Sequence, residues 1–114
     1  MSNRDAFTAI ADPTRREILG LLRDRHTMAA GEIATHFASS SRPGISRHLR
    51  VLRECGVLYC TRHGKEQHYS VNPAPLNAVR DGFLAGFASM QTQSLKALRR
   101  KATSAVKPAA PETP

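Results

Sequence analysis

Between Ser41 and Cys55 the sequence reads SRPGISRHLRVLREC, and its arginines fall at spacings that matter chemically. A guanidinium offers a planar fork of donors that matches a phosphate, or the O6 and N7 edge of guanine. On a helix, Ile45, Leu49 and Leu52 recur at i, i+4 and i+7 and share one face. Ser46, Arg47 and Arg50 lie roughly opposite them, Arg42 and Arg53 are on the flank, and no acid intervenes before Glu54. This pattern gives one face to a core and the other to a polyanion. Arg42, Ser46, Arg47 and Arg50 are therefore candidates to face a DNA groove, with Arg42 or Arg47 the better guanine readers. Ser41 is a candidate phosphate donor. His48, on the margin of the apolar face, reads better as a packed helix residue than as a base reader, but it stays among the DNA-binding candidates.

Catalysis fits these residues poorly. Ser46 and His48 are two positions apart on a helix and do not face each other. The chain has no glycine-rich phosphate loop, HExxH motif or nucleophile elbow. The expectation is a protein that is not an enzyme.

The elements that must position the arginines can be read around them. Ser41 is a suitable N-cap, and Pro43 sits in the first turn, where its missing N–H breaks no bond. Ala30 to Phe37 is helix-like, within a segment from Met28, and the serines from Ser39 to Ser41 suit a turn. Gly56 supplies a left-handed C-terminal cap. Val57–Arg62 and Gln67–Val71 read as strands joined by HGKE, a hairpin whose basic tip carries Arg62, His63 and Lys65. Tyr69 can pack on the sheet or touch DNA. Upstream, Asp5 to Ala11 forms a short helix and Asp12-Pro13 opens a second, which buries Ile18, Leu19, Leu21 and Leu22. Arg15 and Arg16 read as solvated residues of that helix. Helix, turn, basic helix and hairpin is the order of a winged helix-turn-helix.

At this point a family likeness becomes specific. ISRHLRVLRECGVL is similar to the recognition-helix signature of the ArsR/SmtB family of bacterial repressors, and ADPTRREILGLL resembles that family's second helix. The likeness runs from about Phe7 to about Leu98. It implies a mainly α fold with a small β-hairpin wing: four helices, the hairpin, then a last helix. It also implies a homodimer through the first and last helices, reading an imperfect palindrome. The long last helix, starting at Asn72-Pro73 and expected to exceed 20 residues, has an apolar side too wide for so small a domain. Leu76, Arg80, Phe83, Phe87, Met90 and Ser94 form its stripe, with Val79, Leu84, Leu95 and Leu98 nearby. Phe7, Ile10, Leu76, Val79, Phe83, Leu84, Phe87 and Met90 are the candidate dimer-interface residues.

The sequence also departs from the family's metal sensors. The segment AAGEIATHF lacks their Cys-x-Cys motif, and Leu76 to Leu98 contains no histidine. No cofactor is required on this reading. Regulatory nickel or zinc remains open through His26, His36, His48, His63 and His68, as does a protein co-regulator. Cys55 and Cys60 read as ordinary thiols, and a redox switch between them would need Cα atoms within about 7 Å.

Composition agrees with a nucleic-acid partner. The 114 residues carry 17 Lys and Arg against nine Asp and Glu, a formal charge of +8. Six of the basic residues and one acid fall between Arg42 and Lys65, which favours a defined DNA-facing surface. No stretch approaches the length of a membrane span, and the N-terminus lacks a signal peptide's apolar run, so a cytoplasmic protein is expected. The expected organisation is one domain over 1–101 and a disordered tail over 102–114. The expected function is a dimeric, sequence-specific repressor, with autoregulation as one mode. A metal-responsive regulator that activates and a non-specific architectural DNA binder are the alternatives.

Overall fold

The structure, a computed structural model, describes residues 4–90 and Leu98, in two compact units that divide between Val79 and Arg80. The sequence-based tail over 102–114 and the stripe residues Ser94 and Leu95 lie outside the described residues.

In the first unit, α1 (Ala6–Ile10) is capped by Asp5, whose carboxylate accepts from the Thr8 N–H at 3.0 Å. Asp12 caps α2 (Pro13–Arg25), accepting from the Arg15 N–H at 3.1 Å, with Pro13 opening the helix. The chain then turns sharply at His26, whose φ of 72° and ψ of −58° are reached by few residues with a side chain. The Thr27 N–H bonds the Arg25 carbonyl at 2.9 Å across this turn, the i to i+2 pattern of a γ-turn with positive φ.

Beyond it lies β1 (Met28–Ala29) and then α3 (Ala30–Thr35). The sequence places Met28 in a helix, and the structure corrects this. Met28 pairs with Tyr69 and Ala29 with His68, so the hairpin is part of a three-stranded antiparallel sheet in the order β1-β3-β2. Glu32 stabilises the junction by accepting from the Ala29 N–H at 2.9 Å.

After α4 (Arg42–Glu54), the chain closes with a complete Schellman motif. The Gly56 N–H bonds Arg53 O at 2.9 Å, the Val57 N–H bonds Leu52 O at 3.2 Å, and Gly56 has φ 81°. The hairpin strands are β2 (Leu58–His63) and β3 (Glu66–Val71), in register from Leu58–Val71 to His63–Glu66. Only Gly64 and Lys65 remain for the turn. Gly64 has φ 65°, the requirement of a two-residue hairpin turn with glycine first. Asn72 ties the hairpin's base together, bonding Val57 O through its backbone and Gly56 O through its side chain. Then comes α5 (Ala74–Val79).

The core of this unit joins all these elements. Ile18, Leu22, Ile33, Ile45, Leu49, Leu52 and Val57 are its largest fully buried side chains. Leu58, Tyr69 and Val79 close it from the sheet and α5.

The second unit begins with a π-helical turn, Arg80–Leu84, and is helical again over residues 85–90. The uninterrupted α-helix expected from the sequence is therefore broken by a wider turn around Gly82, a residue with poor helix propensity. Phe83 and Phe87 still meet edge to face, with ring centres 5.1 Å apart.

Candidate nucleic-acid interface

The local sequence dictates the start of α4. The Ser41 hydroxyl accepts from the Gly44 N–H at 3.0 Å, and Pro43 occupies the first turn. Ile45, Leu49, Val51 and Leu52 are buried, whereas Arg42, Ser46, Arg47, Arg50 and Arg53 are exposed. The apolar positions lock the helix against α2 and α3 and leave the guanidinium groups of the other face in water. Serine in the capping role places Ser41 at the rim of this face, where a phosphate contact is also accessible.

His48 is placed differently. Its side chain is three-quarters buried; Nδ1 lies 3.4 Å from Arg15 Nη1, and Nε2 lies 3.9 Å from an Asp12 carboxylate oxygen. It points to the start of α2 rather than outward with the arginines. This is the placement of a residue packed against the start of α2.

Arg15 and Arg16, read from sequence as solvated, also have specific work. Arg15 donates to Thr8 O at 2.7 Å and Ala9 O at 3.1 Å, and Arg16 donates to Ile10 O at 2.8 Å. These carbonyls lie at the end of α1, where Thr8 O also accepts from the Ala11 N–H at 3.2 Å, and cations there suit the negative end of the helix dipole. The signal in the sequence was the proximity of two arginines to a helix end across a short capped turn.

At the hairpin, Arg62, His63 and Lys65 reach the tip together, all exposed. Arg62 Nε donates back to Gly64 O at 3.1 Å, which stiffens the turn. His63 and His68 lie on the outer sheet face with ring centres 4.5 Å apart, and His68 Nε2 is 3.3 Å from Glu66. Tyr69 is buried, and its hydroxyl donates to Gln67 at 3.0 Å, which settles it as a packing residue. Burial raises its pKa, reinforced by the neighbouring Cys60. The tip and the start of α4 share an open cleft with the junction of β1 and α3, lined by Ala29, Ala30, Gly31, Arg42, Lys65, Glu66 and Gln67.

Among the described residues, no group of three His, Cys, Asp or Glu is arranged to hold a metal ion. Where the family's metal sensors carry thiols, α3 has none, and residues 76–90 have no histidine. The donors present do not fit those sites. Cys55 and Cys60 are free thiols; burial raises the Cys55 pKa against the opposing pull of Arg15 and Arg4. No helix among the described residues is long and apolar enough to cross a membrane.

The candidate dimer-interface residues divide by unit. In the first, Phe7 is exposed, and Ile10 and Leu76 pack partly against the core. Val79 is buried within that unit's own core. In the second unit, Phe83, Leu84, Phe87 and Met90 are each more than half exposed.

Comparison with known proteins decides the family. Residues 10–59 match a helix-turn-helix domain family. The transcriptional repressor SdpR of Bacillus subtilis (strain 168) is 46% identical over 72 residues, covering 63% of this chain and 78% of that protein. The protein belongs to the ArsR/SmtB family of winged helix-turn-helix transcriptional regulators. This is a family of regulators and not of enzymes. The arsenical resistance operon repressor of Escherichia coli (strain K12) is 39% identical over 67 residues, 59% of this chain and 56% of that protein. An ArsR-like transcriptional regulator from Rhodococcus sp. RHA1 superimposes with a TM-score of 0.66 at 32% identity, covering 88% of this chain and 89% of the other. Membership of this helix-turn-helix repressor family makes double-stranded DNA the ligand of this ArsR/SmtB-family chain.

Proposed function

We propose that the protein is a dimeric, sequence-specific transcriptional repressor of the cytoplasm that reads an imperfect palindrome. The observation that carries this is the division of α4 into a buried apolar face and an exposed face bearing Arg42, Ser46, Arg47 and Arg50. In a two-fold dimer, two such helices about 34 Å apart enter successive major grooves of one face of B-DNA. Ser41 fixes register on phosphate, Arg42 and Arg47 read guanine edges, and Ser46 and Arg50 complete the contact. Arg62, His63 and Lys65 lie along the backbone or minor groove beside the half-site.

The second copy covers Phe83, Leu84, Phe87 and Met90, whose exposure is support for an apolar partner surface. Phe7, Ile10 and Leu76 contribute from the first unit. Residues 1–101 make one DNA-binding and dimerisation domain on this reading. Occupying a promoter excludes polymerase, and the named repressors among the relatives favour that outcome over activation. The signal that releases the protein is then something other than a metal at the family's familiar sites, such as a protein co-regulator.

The test is the binding of two variants to the duplex that the wild-type protein enriches from a random-sequence library, and to a scrambled duplex. Arg47→Ala should lower affinity by about 1–3 kcal/mol and relax preference at one base pair per half-site, whereas Lys65→Ala should weaken both duplexes alike and reduce the salt slope. Equal loss on every sequence from both variants would refute the assignment. Sedimentation of the free and DNA-bound protein tests the dimer.

A further inference from the structure

Arg15 touches three things that belong to different parts of the first unit. Nη2 and Nε donate to Thr8 O and Ala9 O at the end of α1, and Nη1 lies 3.4 Å from His48 Nδ1 on α4. Its own backbone N–H is held by Asp12, the cap of α2. A guanidinium only donates, so in this contact His48 Nδ1 is the acceptor, while Nε2 lies 3.9 Å from the Asp12 carboxylate. The residues involved are partly buried.

His48 is set between Arg47 and Leu49, at the middle of the helix that presents the DNA-facing arginines. A second tie lies near the end of the same helix, where Arg4 pairs with Glu54 at 3.1 Å. The end of α1 and the residue just before its cap are thus each linked to α4, the second link being an exposed ion pair. Apolar packing at Ile45, Leu49 and Leu52 sets the depth of α4 in the core and resists its rotation. The hydrogen bond between Arg15 and His48 adds a directional constraint on the rotation that aims Arg47 and Arg50.

We propose that Arg15 and His48 form a joint that sets the orientation of α4 from the end of α1, making both of them positioning residues for sequence reading. The inference rests on the proposed sequence-specific reading of DNA and goes beyond it by naming residues that touch no base. Because α1 is the other side of the joint, a change at α1 reaches the arginines through it.

The experiment is a double-mutant cycle on DNA affinity with Arg15→Gln and His48→Phe, using the duplex enriched by the wild type and its scrambled counterpart. Each single variant should weaken the enriched duplex about 10-fold and the scrambled duplex by less than about 3-fold. The double variant should also lose about 10-fold, because the joint can be broken only once. His48→Asn, whose amide oxygen takes the place of Nδ1 and can still accept from Arg15, should stay within about 3-fold of the wild type. A loss of about 100-fold in the double variant, the product of two independent effects, would overturn the joint, as would failure of His48→Asn to rescue. Library selection repeated with His48→Phe is a further check. A change of preferred base confined to that variant, absent from Arg15→Gln, would make His48 a direct reader and also overturn the proposal. Should Arg15→Gln not fold, the contrast between His48→Phe and His48→Asn still decides it. If the wild type enriches no sequence, the sequence-specific reading fails and the joint falls with it; a clear enrichment with additive variants sinks the joint alone.

Discussion

Replacing His26 with glycine should stabilise the protein. His26 holds φ 72° and ψ −58° at the centre of the turn between α2 and β1. A side chain in such a conformation costs about 1–3 kcal/mol, and glycine avoids most of it. Against this, glycine gives the unfolded chain more freedom, worth about 0.5–1 kcal/mol. The net expectation is a gain of about 1 kcal/mol, or about 4–8 °C in Tm for a unit of this size. The hydrogen bonds of the turn, His26 N–H to Leu22 O at 2.8 Å and Thr27 N–H to Arg25 O at 2.9 Å, are backbone bonds and survive the change. The exposed imidazole lines a shallow groove with Leu22, Val71 and Pro73, so His26→Ala is the necessary control. Alanine removes the ring and keeps the Cβ strain. Urea and thermal unfolding of the three proteins give the comparison. Glycine no more stable than alanine would show that the turn carries no strain, and the reasoning from its backbone angles would fail.

Three other perturbations test the packing and the caps. Leu52→Ala, at a fully buried position of α4, should cost about 2–5 kcal/mol in chemical unfolding. Ser41→Ala removes the cap acceptor of α4 and should cost about 0.5–2 kcal/mol by the same assay, with weaker binding to the enriched duplex from fraying beside Arg42. Asp12 has its pKa lowered: desolvation opposes the shift, but the Arg15 N–H and the neighbouring His48, with help from Thr14 and the Arg15 charge, outweigh it. A depressed native pKa gives stability that is present above the unfolded value near 3.9 and lost as pH falls through the native value. Asp12→Asn, which keeps a cap acceptor, should therefore be less stable than wild type at pH 6, with the gap closing below about pH 4 in pH-dependent unfolding. A gap that persists unchanged to pH 3 would remove the charge from the explanation.

Where local chemistry decides structure, the sequence was legible. The caps at Asp12 and Ser41, the prolines after them and Gly56 are read directly because each solves a problem confined to a few neighbouring residues. The apolar face of α4 and the two hairpin strands follow from their periods. Strand β1 was not legible, since Met28-Ala29 carries no strand pattern and owes its state to pairing with Tyr69 and His68, forty residues away along the chain. The same holds for Arg15 and His48, whose partners exist only once α1, α2 and α4 have assembled. His26 had no signal at all, because the residue that suits its backbone angles is glycine. Val79 lies beside an apolar stripe and is buried in its own unit's core, and periodicity cannot tell a chain's own core from that of its neighbour.

The exposed cluster of Phe83, Leu84, Phe87 and Met90 has a consequence for dosage. Where covering such a surface takes a second copy, the amount of paired protein rises with the square of the total while pairing is weak, by mass action. Operator occupancy then climbs more steeply than synthesis. On the proposed dimer, the steepness of the response to protein level is set by the strength of pairing at this surface.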